Sequence, residues 1–342
     1  MTPSLVNPFV IADADGNSLD GHLRVAHRRH FVAHGGIAGE FARFQARFSD
    51  VAALEGPNMV IVSGKRGSGR STLIEWCRDH LEQVVNHTAH VKFRTVNLST
   101  HPPLSQSWID PQTIKKTLWF VDSAISAELK KSRLLLLRNY DLVGPIAPRP
   151  RDSVEDYVYR LKEKMAKVSE RLQTYRRYLF VVLPANRQDD EKEQVACACM
   201  KLAEPNMTFM IECQNEPPTT DYTLATTTHL EISELRFEDR VAFIRSRLSR
   251  TDLNGHLPVI DSGDIERIAR RTEITKSTIG AYNQLCAEAM DLIIKDPALS
   301  SGIVSEADFV RVMRDVLQSG LRTAEAVGAL NVDHEDEPGY GE

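Results

Sequence analysis

The sequence predicts an α/β chain, a three-layer αβα domain on a parallel sheet followed by a block of helices. An apolar strand, Met59–Ser63, runs into a glycine-rich turn and then a helix starting near Ser71. Short apolar runs alternate with helix-periodic stretches up to about residue 229. From about residue 230 to 320 the pattern is helix alone. Alternation followed by a helical block is the signature of a strand–helix domain carrying a second, helical domain.

The elements follow in order. Residues 1–30 read as an irregular N-terminal extension in which Asn7-Pro8-Phe9 can pin the chain start. A helix is expected over Ile37–Leu54, with Phe41, Phe44, Phe48 and Val51 on one face, ended by Gly56-Pro57. After the Met59–Ser63 strand, a helix over Ser71–Val85 turns Leu73, Ile74 and Leu81 inward, and Val91–Leu98 reads as the next strand. Asp110-Pro111 pairs an N-cap residue with a first-turn proline. The helix it opens has the stripe Ile114, Leu118, Val121, Ile125, Leu129. Leu134–Leu137, bounded by charges, reads as a central buried strand. A basic helical insertion covers about 145–177, followed by strands at Tyr178–Leu183 and Met207–Cys213 with a helix, Asp189–Ala203, between them. Leu230-Glu231-Ile232 reads as an edge strand. Helices are expected at Arg236–Arg250, Asp261–Arg271, Thr278–Ile294 and Ser305–Gln318, and the acidic tail 321–342 is expected to be disordered.

Composition narrows the function classes. The 342 residues are 42% hydrophobic and 26% charged, ordinary for a globular chain of two or three domains. A net charge of −5 disfavours nonspecific coating of nucleic acid. Five cysteines without a C-x-x-C pair fit reduced thiols in a cytoplasmic protein, with Cys197 and Cys199 as core residues. No apolar run reaches the ~20 residues of a membrane span, and no signal peptide is expected.

The chemistry sits in the turn. Gly64-Lys65-Arg66-Gly67-Ser68-Gly69-Arg70-Ser71-Thr72 has the G-x-x-x-x-G-K-[ST] spacing of a phosphate-binding loop, with Arg70 where the lysine belongs. Gly64, Gly67 and Gly69 let backbone N–H groups converge on phosphate oxygens, and the following helix adds its positive end. Ser71 stands where a hydroxyl binds Mg²⁺. Arg70 keeps the charge, but its planar fork is a poor replacement for a compact ammonium between two phosphates. The alternative is a glycine-rich turn that binds nothing.

Such a loop needs an acid at the end of a buried strand to hold the metal's water shell and polarise water. After Leu134–Leu137 the chain reads Arg138-Asn139-Tyr140-Asp141, so Asp141 is the nearest acid. A competing acid, Asp122 after Leu118-Trp119-Phe120-Val121, lies in a helix-periodic stretch. Asn186, following Leu183-Pro184-Ala185, can either bind a terminal phosphate or cap a turn.

The succession of loop, Leu134–Asp141, Phe180–Asn186 and a helical C-terminal block resembles the AAA+ ATPases. Leu134–Asp141 resembles that family's apolar strand ending in D-E-x-D, with Arg138 and Asn139 in place of the first two acids. Leu183–Asn186 resembles its sensor 1 strand, and Phe31–Phe41 the segment ahead of its loop. Leu230–Leu235, Ala242–Leu248 and Tyr282–Ala289 resemble the lid of ExeA, TnsC and origin-recognition types. The resemblance implies a P-loop domain at 31–229 and a helical lid at 230–320. It also implies ATP or ADP as cofactor, with Mg²⁺, bound by residues 64–72, and Asp141 and Asn186 as the remaining catalytic candidates.

The function expected from this reading is a nucleotide-binding regulatory or assembly protein with impaired hydrolysis, acting as a homo-oligomer with a protein partner. Two alternatives stand beside it. One is an active ATPase that loads or remodels a protein or DNA complex, its site completed by a partner. The other is a nucleotide-free, STAND-like scaffold. Arg149, Arg151, Arg171, Arg176 and Arg177 make the insertion locally basic, either as a solvated face or as a nucleic-acid or partner surface.

Overall fold

The computed structural model describes residues 5–9, 36–65, 68–88, 90–98, 111–131, 144–183, 198–199, 201–213, 226–250, 253, 255–271, 278–296 and 302–318. Five strands form one parallel sheet: β1 (Asn58–Ser63), β2 (Lys92–Asn97), β3 (Arg177–Val182), β4 (Met207–Cys213) and β5 (Thr226–Glu231), in the order β2-β3-β4-β1-β5. Consecutive strands are therefore joined by crossovers, as parallel pairing requires. Among the described residues the long helices of this unit are α1 (Ile37–Arg47), α2 (Arg70–Asn86), α3 (Pro111–Lys131) and α4 (Val154–Thr174).

Period-2 alternation sorts the strand side chains onto two faces. Met59 and Ile61 of β1, Leu179 and Val181 of β3, and Met207, Phe209 and Ile211 of β4 share one core with Leu118, Val121, Ile125 and Leu129 of α3 and with Tyr157, Leu161, Met165, Val168 and Leu172 of α4. The stripe read from the sequence of α3 is thus its buried face. Val60, Val62, Phe180 and Met210, also buried, point the other way. β1 and β4 are buried along their whole length, as central parallel strands are.

α4 is a layer helix with a charged outer face. Ser153 caps it, accepting from the Asp156 N–H at 3.0 Å while Asp156 accepts from the Ser153 N–H at 3.1 Å. This reciprocal arrangement is a capping box. The first helix stops at Arg47, earlier than its apolar period suggests. Asp50 then caps a 3₁₀ turn, Val51–Leu54, through the Ala53 N–H at 3.1 Å, and still buries Val51 and Leu54. α1 also closes the sheet edge. Arg43 donates to the His229 carbonyl, Arg47 donates to the Thr227 carbonyl at 3.2 Å, and Glu40 accepts from the Glu231 N–H at 3.2 Å. Side chains one helical turn apart thus meet the outward polar groups of β5 at alternate residues, which blunts the edge against further pairing.

The second compact unit takes Leu5–Phe9 together with the described residues after Ser233. It is helical: α5 (Phe237–Leu248), α6 (Ser262–Ala269), α7 (Ile279–Lys295) and α8 (306–318). Its core joins Phe243, Ile268, Tyr282, Met290 and Phe309. Phe9 is fully buried among them, and Asn7 donates to the Ala287 carbonyl at 2.8 Å and to Asp291 at 2.7 Å. No described helix is long and apolar enough to cross a membrane.

Every interior position of the described sheet is taken. β3 lies between β2 and β4, β4 between β3 and β1, and β1 between β4 and β5. Leu134–Asp141, expected as a central strand, lies outside the described residues. Most of the helix expected at Asp189–Ala203 and the acidic tail also lie outside them.

Candidate phosphate-binding site

The glycine-rich turn leaves the C-terminal end of β1 and enters α2, the place where ligands bind in open parallel sheets. Gly64 has φ +150°, and a Cβ there would meet Ser68 Oγ at 2.8 Å and the Ile232 carbonyl at 3.1 Å. Gly69 is left-handed, with φ 98° and ψ 18°, and forms the N-cap of α2 without any side-chain cap. Both positions therefore require glycine. The turn is tied by the Ser68 N–H donating to Lys65 O at 3.0 Å, and the helix starts with the Leu73 N–H donating to Gly69 O at 3.0 Å. The first turn of α2 contains no acid of its own, so its N–H groups and dipole present a positive end to the loop.

Side chains complete the picture. Arg70, the first residue of α2, is 9% exposed, and its Nη1 is buried without a hydrogen-bond partner among the described residues. Ser68 is 5% exposed, and among the described residues its Oγ is equally without a partner. The two atoms lie together at one helix start, where phosphate oxygens could supply the acceptors that buried donors require. Lys65 is exposed and Thr72 half-buried, while Arg66 and Gly67 lie outside the described residues.

An acid does face this loop. Glu212, in register with Val62 of β1, projects from β4 on the face opposite Phe209 and Ile211. It is 8% exposed. Ser71 Oγ donates to its two carboxylate oxygens, at 3.2 and 3.1 Å, and Arg70 Nε stands 3.7 Å from Oε2. Among the described residues Glu212 is the buried carboxylate at a strand C-terminus, since Glu231 at the end of β5 is exposed. Sequence reasoning missed it. The run Met207-Thr208-Phe209-Met210-Ile211-Glu212-Cys213 reads as a plain apolar strand, and the available signal was a carboxylate in phase with Met210 on a face that must be covered.

The hydroxyl and carboxylate oxygens of Ser71 and Glu212 are the hard donors that Mg²⁺ prefers. Among the described residues no group of three His, Cys, Asp or Glu could hold a metal ion by itself. The donor set thus suits a cation that arrives with phosphates, which is how Mg²⁺ is commonly bound.

The other predicted residues fall elsewhere. Asp141 and Asn186 lie outside the described residues, as do Arg138 and Asn139. Asp122 is not at a strand end: it sits within α3, accepts the Ile146 N–H at 2.7 Å, and is paired with Lys164 of α4. Of the arginines in the basic insertion, Arg177 lies over the Tyr175 ring at 5.5 Å, and the Arg149 N–H donates to Asp152 at 2.9 Å.

No protein-family model and no curated protein matches the sequence. Solved structures do. A Drosophila ORC structure bound to DNA is 11% identical over 91% of this chain and 64% of its own, with a TM-score of 0.49. The Aeropyrum pernix ORC2 protein in ADPNP–ADP complexes is 13% identical over 92% of this chain and 72% of its own, with a TM-score of 0.44. Cdc6p from Pyrobaculum aerophilum is 13% identical over 84% and 66%, with a TM-score of 0.41. The chain spans less than two thirds of the Drosophila and Pyrobaculum proteins. A phosphate-loop sequence opens the first strand–helix unit, and the five parallel strands in the order β2-β3-β4-β1-β5 with flanking helices make an α/β fold; ORC and Cdc6 proteins are what the chain is similar to.

Proposed function

We propose that this chain is a nucleotide-binding regulatory or assembly protein that holds ATP or ADP in the 64–72 loop and hydrolyses it slowly or not at all. The observation that carries the reading is the pair of orphaned polar atoms, Ser68 Oγ and Arg70 Nη1, buried at the uncapped start of α2. A triphosphate supplies the acceptors that both lack. Slow hydrolysis is supported by two features. Arg70 is a fork where a compact ammonium would thread between phosphates. In addition, Arg138 and Asn139 follow Leu134–Leu137 where the AAA+ resemblance expects the metal-binding and water-orienting acids. The bound nucleotide then works as a ligand of the folded or assembled state, stabilising it by mass action. Homo-oligomerisation, a protein partner and a cytoplasmic setting belong to the same proposal.

The test is to denature the purified protein, chromatograph the released small molecules, and follow phosphate release from ATP with Mg²⁺. Co-purifying or titratable adenine nucleotide with turnover far below the median ~10 s⁻¹ of enzymes is expected. Brisk hydrolysis that Arg70→Ala abolishes would refute the slow-hydrolysis reading.

A further inference from the structure

We propose that Glu212, together with Ser71, is the divalent-cation site of the nucleotide pocket, and that the cation and Arg70 are alternative partners of the Glu212 carboxylate. The inference rests on the nucleotide-binding reading above and adds a residue and a mode of regulation to it.

The argument starts from valence. Glu212 is buried, and a buried carboxylate needs compensation. What it has among the described residues is partial: one hydroxyl whose hydrogen is shared between both oxygens at 3.2 and 3.1 Å, and one guanidinium nitrogen at 3.7 Å. The first contact is at the long end for O–H···O and the second lies beyond hydrogen-bond distance. An ion pair built for stability alone would close these distances and turn the guanidinium face-on, because bidentate geometry is the strong form. Here Arg70 presents Nε, and its Nη1 remains without a partner.

The same arrangement makes sense for a carboxylate that exchanges one cation for another. Ser71 and Glu212 offer adjoining oxygens, short of what Mg²⁺ requires, so the site is complete only with phosphate and water oxygens. When Glu212 turns to the metal, Arg70 loses its partner, and its guanidinium is released toward the phosphates. Arg70 then does two jobs in sequence: it neutralises Glu212 in the nucleotide-free protein and binds phosphate in the loaded one. The strand position supports the assignment. β4 is the direct neighbour of β1, and the Val62–Glu212 register places the carboxylate two residues before Gly64, level with the first turn of α2.

The consequence is a metal dependence of nucleotide binding that runs through one residue. The full chain is titrated calorimetrically with a non-hydrolysable ATP analogue, once in excess EDTA and once in excess Mg²⁺, for the native sequence, Glu212→Gln and Glu212→Asp. The native chain is expected to bind the analogue about 10–100-fold more tightly with Mg²⁺. Glu212→Gln is expected to lose that enhancement, while its metal-free affinity stays equal or rises, because a negative charge beside the phosphates has gone. Glu212→Asp, which keeps the charge on a shorter stem, is expected to fall between. It also serves as the test if the Gln variant fails to fold. Mn²⁺ in place of Mg²⁺, followed by loss of its free-ion electron paramagnetic resonance signal, reads the cation directly. A Gln variant with the native Mg²⁺ enhancement overturns the assignment. A native chain that binds the analogue equally with and without Mg²⁺ also overturns it, yet leaves nucleotide binding intact. A native chain that binds under neither condition overturns the nucleotide reading and this inference with it.

Discussion

Two buried ion pairs in the α/β unit invite comparison, because they are alike in chemistry and unlike in completeness. Lys164 of α4 uses all of its ammonium donors, on Asp122, on Ser126 Oγ at 2.8 Å and on the Gly144 carbonyl at 2.9 Å. Asp122 accepts from Lys164 with one oxygen and from the Ile146 N–H with the other, at 2.7 Å. The pair is 5% and 1% exposed, and it knits α3, α4 and the chain between them. Arg70 and Glu212 are buried almost as deeply, but their contact is long, one guanidinium nitrogen is orphaned and so is the neighbouring Ser68 hydroxyl. Burial alone does not distinguish a structural charge from a functional one; satisfaction of donors and acceptors does. The first pair is finished by the fold, and the second is left to be finished by a ligand.

Cutting the finished pair should give the largest effect. Lys164→Met leaves Asp122 charged and unmatched in the core, and urea unfolding is expected to show a loss of about 3–5 kcal/mol. The double variant with Asp122→Asn should recover a good part of that, and nucleotide affinity of whatever remains folded should be unchanged. Gly64→Ala comes next. It forces a Cβ into Ser68 Oγ and the Ile232 carbonyl at a backbone angle that L residues avoid. A cost of about 1–3 kcal/mol is expected, together with loss of the thermal stabilisation that ATP gives the native chain. Arg70→Met makes the same chemical change as Lys164→Met in the unfinished pair. Its stability cost should be smaller, about 1–2 kcal/mol, since less is satisfied to begin with. Its main effect should be on affinity, which a calorimetric titration with ATP reads. An Arg70→Met chain as unstable as Lys164→Met would erase the contrast.

The smallest effect lies in alkaline solution. Burial pulls the Lys164 ammonium below the ordinary lysine value, with Asp122 opposing. Between the lowered folded value and the usual 10.5, the unfolded chain holds more protons, so this lysine contributes stability that rises with pH across that window. Below the window both states are protonated and the contribution is flat. Urea midpoints measured along an alkaline series should show this slope in the native chain and lack it in the Lys164→Met/Asp122→Asn variant.

The two pairs also show what a sequence can and cannot reveal. Asp122 follows an apolar run and imitates a strand-end acid, but Ile114, Leu118, Val121, Ile125 and Leu129 recur at helical spacing, and the structure puts it in α3. Periodicity is local, so it is legible. The glycine-rich turn is legible for the same reason: strand, glycines and helix are contiguous. Glu212 is different. Its importance comes from β4 lying beside β1, and strand order is a property of the whole sheet that no local pattern encodes. The stronger local apolar signal belongs to Leu134–Leu137. The early stop of α1 was hidden in a similar way, because Phe48 and Val51 keep the helical spacing while Asp50 caps a new turn. Nothing in the spacing of Glu40, Arg43 and Arg47 announces that they face the edge of β5, since their partners are backbone groups about 180 residues on.

The most direct test is a crystal structure of the full chain with a non-hydrolysable ATP analogue and Mg²⁺. The phosphates should lie against the start of α2. Arg70 Nη1 and Ser68 Oγ should each have an acceptor, and Ser71 Oγ should have exchanged Glu212 for the metal. An analogue bound elsewhere, with Ser71 still on Glu212 and both orphans still unpartnered, would contradict the account.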